Sequence, residues 1–138
     1  MSPDNPVALR VLLGFLRAGR VLDGGSSALL LGTVVLAAAP LPAVGIIGVA
    51  ATLAAGLLEK YFAWRVALDA EFFALLDEQP AHTAAFDAAL GEFLGRKIAP
   101  GRSVESRWRG ARRLLKWQGA AVAVQVVAVA ALIGAACW

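Results

Sequence analysis

Charge is missing from two long stretches of this chain. Gly24 to Leu58 contains no Asp, Glu, Lys or Arg in 35 residues, and Trp117 to Trp138 contains none in 22. A spanning helix needs about 20 apolar residues, so runs of this kind place helices in lipid. Composition agrees: 59% of the 138 residues are hydrophobic and 17% charged, against roughly a quarter charged in soluble domains. The expected fold class is an all-α integral membrane protein with three transmembrane helices.

The first run is too long for one span and marginal for two. Its middle reads Pro40-Leu41-Pro42. Two prolines that close break a helix, because neither ring nitrogen can donate a hydrogen bond and each disfavours helix in the residue before it. The pattern predicts a tight transmembrane hairpin over 23–58, broken at Pro40-Pro42, and a third transmembrane helix over 118–138. Each limb of the hairpin supplies only about 16–18 residues, or roughly 24–27 Å against a hydrocarbon core of about 30 Å, so a re-entrant hairpin is the alternative to a full crossing.

Where the charges do fall predicts orientation. All 13 Lys and Arg lie in 1–23 or 59–117, and the Pro-Leu-Pro turn and the C-terminus have none. Basic segments stay in the cytoplasm, which puts the N-terminus and 59–117 inside a bacterial inner membrane and the C-terminus in the periplasm. The net charge of +3 is then explained by topology, and a nucleic-acid partner is not expected. Arg10, Arg17 and Arg20 ahead of an apolar core ending in Ala37-Ala38-Ala39 resemble a signal peptide, but the long basic region and Pro40 argue against cleavage. Cys137, the single cysteine, reads as inert packing.

Residues 1–22 read as an amphipathic interfacial helix. Val7, Leu12, Leu13, Phe15, Leu16 and Leu22 take one broad side and Arg10, Arg17 and Arg20 the other, facing anionic headgroups. Gly24-Gly25-Ser26-Ser27 would then redirect the chain into the membrane. Residues 59–117 read as a cytoplasmic helical cap. The second span continues as helix to about Gln79, Thr83 caps a short helix over 84–96, Ile98-Ala99-Pro100-Gly101 forms a loop, and Ser103 caps a long C-terminal helix.

Three groups of residues stand out as candidate sites. Small residues four apart let helix backbones approach: Ala28 and Gly32 on the first span, and Gly48, Thr52 and Gly56 on the second, with Gln125 on the third as an interhelical hydrogen-bonding group. Arg107, Arg109, Arg112, Arg113 and Lys116, flanked by Trp108 and Trp117, form a basic band suited to headgroup contact. Arg65 and Asp69, at i,i+4 spacing beside Trp64 and Phe72, form a candidate ion pair within an aromatic helix side, either structural or part of a docking surface. On a helical wheel of this segment Glu59 and Lys60 are assigned to the solvated side.

Chemistry is sparse. One His and one Cys exclude a structural zinc or bis-histidine haem site, and no nucleophile elbow or phosphate-cradling loop occurs. No catalytic residue, metal or cofactor is expected. The functional expectation is a small non-enzymatic accessory or scaffolding subunit of a membrane complex, in contact with membrane lipids and with another membrane protein or a second copy. The alternatives are an oligomeric small transporter or channel component and a lipid-handling membrane enzyme subunit.

Overall fold

The computed structural model describes residues 6–38, 42–79, 82–95 and 103–136. The expected break at Pro40-Leu41, the turn at Pro80-Ala81, the loop Ile98-Ala99-Pro100-Gly101 and Cys137 lie outside the described residues. Four helices make up the rest: α1 (Pro6–Ala37), α2 (Ala43–Glu78), α3 (Thr83–Phe93) and α4 (Val104–Ala136). Three of them, α1, α2 and α4, are long and apolar enough to cross a membrane. With 32, 36 and 33 residues, they measure about 48, 54 and 50 Å.

The largest departure from the expected organisation is α1. It runs without interruption from Pro6 to Ala37, so the amphipathic segment and the first span are one helix and Gly24-Gly25 is no redirection. A glycine costs a helix about 1 kcal/mol relative to alanine, which is less than the cost of exposing unpaired backbone groups near lipid. The expected face of the segment also divides. Leu9, Leu12, Leu13 and Leu16 are buried against Val66, Ala70, Phe73 and Trp108, whereas Val7 and Phe15 are exposed. Two of its arginines reach α2 carboxylates, Arg10 with Asp77 at 3.4 Å and Arg20 with Glu71 at 3.8 Å.

One seven-residue repeat organises all three long helices. Positions 9, 12, 16, 19, 23, 26, 30 and 33 of α1, 45, 49, 52, 56, 59, 63, 66, 70 and 73 of α2, and 108, 111, 115, 118, 122, 125, 129 and 132 of α4 are all buried or half-buried. Alternating steps of three and four keep one seam of each helix facing its neighbours at a shallow crossing angle, as in a coiled coil. α2 is the central strut, touching each of the other helices.

The two halves of this bundle cohere for different reasons. At the α3 end, Leu9, Leu12, Leu16, Val66, Phe73 and Trp108 bury apolar surface, each large side chain contributing about 1.5–3 kcal/mol where the alternative is water. In the other half the outward residues are themselves apolar, with Leu31, Val35, Ile47, Leu57 and Val127 about 70% exposed. Lipid solvates such groups as well as protein does, so adhesion there needs close backbone approach. Gly56 supplies it: a Cβ at that position would lie 2.5 Å from Leu30 Cδ2 and 2.7 Å from Gln125 Nε2. Gly48 packs on Leu132 in the same manner, at 3.5 Å.

The helix ends follow local chemistry. Ser103 caps α4, its Oγ accepting from the Ser106 amide at 3.3 Å. At α3 the cap position falls to His82, whose side chain makes no capping bond, and Thr83 is already helical. α3 ends at Phe93, three residues short of the expected boundary, where Gly95 takes φ +60. A left-handed conformation at a helix end is cheap only for glycine.

Candidate functional site

The polar positions of the seven-residue repeat stack into layers where the bundle leaves the charge-free stretch. Glu59 is fully buried and Lys60 half-buried, which corrects the wheel assignment of both to the solvated side. Lys60 Nζ donates to Asp23 Oδ1 at 2.5 Å, to the Asp23 carbonyl oxygen at 2.9 Å and to Ser27 Oγ at 2.7 Å. Those bonds use all three ammonium donors, so the Glu59 Oε2 only 3.2 Å away gains charge attraction and no hydrogen bond. Gln118 Nε2 completes the layer, donating to Glu59 Oε1 at 2.8 Å and to the Gly19 carbonyl oxygen at 2.9 Å. A buried carboxylate is costly unless paired and hydrogen-bonded, and Glu59 has its charge partner from α2 and its hydrogen bond from α4.

One repeat deeper, Gln125 Nε2 donates to the Ser26 carbonyl oxygen at 3.4 Å. The bonds from Gln118 and Gln125 both reach residues 99 positions away, so the two amides hold α4 against α1 in one register. Polar residues at seam positions serve register in coiled coils for the same reason: any slip leaves them unpaired in an apolar interior. Thr33 and Thr52 occupy further seam positions and return their hydroxyls to the carbonyls of Leu29 and Gly48. Glu59 and Gln118 were not among the residues singled out from the sequence. The signal was present, since Gln118 lies seven residues before Gln125 on the same seam.

The cap carries a second enclosed charge pair. Arg107 Nη2 meets both carboxylate oxygens of Asp87, at 2.5 and 2.6 Å, and the guanidinium lies 4.1 Å from the Phe72 ring centroid. With 11% and 16% of their side chains exposed, the pair pins α3 onto α4 and α2. Arg107 therefore leaves the basic band in which it was expected. Arg109, Arg112, Arg113 and Lys116 stay exposed, Arg109 with Glu105 at 4.0 Å. Trp108 leaves the band too, being buried edge-on to Phe73, whereas Trp117 remains half-exposed and stacks on Phe62.

The remaining sequence candidates divide by direction. Arg65 and Asp69 are half-buried on α2, and Phe72 lies in the core while Trp64 is half-exposed, so the aromatic side of α2 does not face a single way. Gly48, Thr52 and Gly56 face inward and are occupied by α4 and α1. Ala28 and Gly32 are exposed on α1, with nothing within 4 Å of a Cβ built on Gly32. Among the described residues no three His, Cys, Asp or Glu side chains gather as metal ligands would.

These elements define a class: an all-α protein in which three helices long and apolar enough to cross a membrane form one bundle, with a short fourth helix at one end. Compared with protein-family models, curated proteins and solved structures, the chain matches none.

Proposed function

We propose that this protein is a small, non-enzymatic accessory or scaffolding subunit of a bacterial inner-membrane complex, with its N-terminus and α3 in the cytoplasm and its C-terminus in the periplasm. One observation carries the partner-binding part of the reading. Val7, Val11 and Phe15 form an i, i+4, i+8 stripe on the back of α1 and are 67%, 45% and 62% exposed. They precede Gly24, the start of the charge-free run, by 9 to 17 residues, or about 13–25 Å of helix. That distance is beyond the reach of hydrocarbon and most of the headgroup layer, which is only about 5–7 Å deep on each side. An apolar stripe in water favours cover by protein. Exposed Ala28 and Gly32 on the same helix offer a smooth surface within the membrane, where a partner's helix could approach closely.

Mild detergent extraction followed by identification of co-purifying proteins tests the reading. A partner should accompany the full chain and be lost from a Val7→Ser, Val11→Ser, Phe15→Ser variant whose helix content is unchanged. Repeated isolation as a lone monomer would refute it.

The transporter alternative draws on a different observation: Glu59 Oε2, Gln118 Oε1, Gln125 Oε1 and Ser26 Oγ are buried without a protein hydrogen-bond partner among the described residues. A conducting role for these groups predicts cation or proton flux in proteoliposomes that Gln125→Leu abolishes.

A further inference from the structure

A cleft of about 440 Å³ opens between α1 and α2 beside the Asp23–Lys60 pair. Small residues widen its α2 wall, Ala63, Ala67 and Ala70, and the side chains that cross between the helices beside it are Lys60 to Asp23 and Arg20 to Glu71. Its polar lining is Arg17, Arg20, Lys60 and Asp23, and Trp64 stands at the wall. Asp23 is already neutralised by Lys60. Arg20 holds Glu71 only loosely, at 3.8 Å with both side chains mostly exposed, and Arg17 makes no ion pair among the described residues. Two guanidinium groups thus face a concave surface with little to satisfy them.

Depth decides what such a cleft meets. Arg20 and Arg17 stand four and seven residues before Gly24, where the charge-free run begins, which is about 6 and 10 Å along the helix. Trp64 stands six residues past Leu58, at a similar height on α2. The headgroup layer occupies the first 5–7 Å or so beyond the hydrocarbon, so Arg20 stands at its outer edge and Arg17 and Trp64 a few ångström beyond it, within side-chain reach. Guanidinium groups bind phosphate oxygens through paired, charge-assisted hydrogen bonds.

We propose that the α1–α2 cleft is a binding site for the phosphate of an anionic phospholipid, held by Arg17 and Arg20 with Trp64 beside the headgroup. The site goes beyond the accessory-subunit reading and does not depend on a protein partner. It also differs from the exposed band of Arg109, Arg112, Arg113 and Lys116 on α4 in being a concave cleft between two helices.

Native mass spectrometry of the full chain in a neutral detergent tests the site, with phosphatidylglycerol, phosphatidylcholine and inorganic phosphate offered separately. One phosphatidylglycerol should be retained in preference to phosphatidylcholine. R17Q/R20Q should weaken that retention at least tenfold, and R109Q/R112Q/R113Q should leave it within twofold. A67F, which fills the cleft from an exposed position and removes no charge, should also abolish retention and keeps the test valid if the arginine variant is poorly folded. Equal retention of the two lipids, undiminished retention in A67F, or binding of inorganic phosphate without lipid would overturn the assignment.

Discussion

At the scale of single residues, position on the seam determines cost. Gly56 has no room for a methyl group, so Gly56→Ala should lower stability by about 1–3 kcal/mol, and Leu30→Ala in the same chain should recover part of it. Gly32→Ala, in open space, should be neutral or stabilise by up to about 1 kcal/mol. Thermal unfolding in detergent compares the two. Gln118→Leu removes the hydrogen-bond donor of a buried carboxylate and should cost about 1.5–3 kcal/mol, whereas Glu59→Leu together with Gln118→Leu should cost less than Gln118→Leu alone. A double variant that is the less stable would show that the layer is not a coupled unit. At about 100° per residue Glu59 lies within roughly 40° of Val66 and Phe73, so its assignment to the solvated side followed its polarity and not its angle. A paired carboxylate can occupy a seam that polarity alone reserves for apolar groups.

At the scale of the helix, α1 shows how tertiary packing outweighs local signals. Its glycine pair reads as a break, and its N-terminal half reads as a surface helix with arginines on one side. The helix continues because Leu9, Leu12, Leu13 and Leu16 find a complementary core on α2 and α4. Leu12→Ala and Leu16→Ala should each cost about 2–5 kcal/mol in thermal or denaturant unfolding. A helix resting on headgroups would barely register either change. By contrast α2 was legible throughout, since no breaker stands between Pro42 and Pro80, and its run to Glu78 follows from that alone. The start of α4 was legible for a similar reason, with Ser103 placed to cap it.

At the scale of the whole molecule, topology can be probed directly. In a Cys137→Ser background, Val44→Cys at the start of α2 and Phe93→Cys at the end of α3 occupy exposed sites at opposite ends of the bundle. A membrane-impermeant maleimide should label Val44→Cys in intact cells and Phe93→Cys only after lysis. Labelling of both from one side would refute a full crossing by α2 and revive the re-entrant hairpin.

What the sequence determined by itself is the solvent of each segment. Two charge-free runs, a pair of prolines within the first of them, and basic residues confined to the remainder were enough for an all-α chain with three membrane-length helices, because burying backbone and charge in lipid is too costly to allow other arrangements. Which face of each helix turns inward was decided only by the tertiary structure. Inside lipid an apolar residue is equally at home on either side, so hydropathy carries no inward signal, and the choice passed to shape and pairing: Gly56 beneath Leu30 and Gln125, Glu59 against Gln118, Lys60 against Asp23, Arg107 upon Phe72 and Asp87. Each of those is a relation between residues distant in the chain, and none exists until the helices meet.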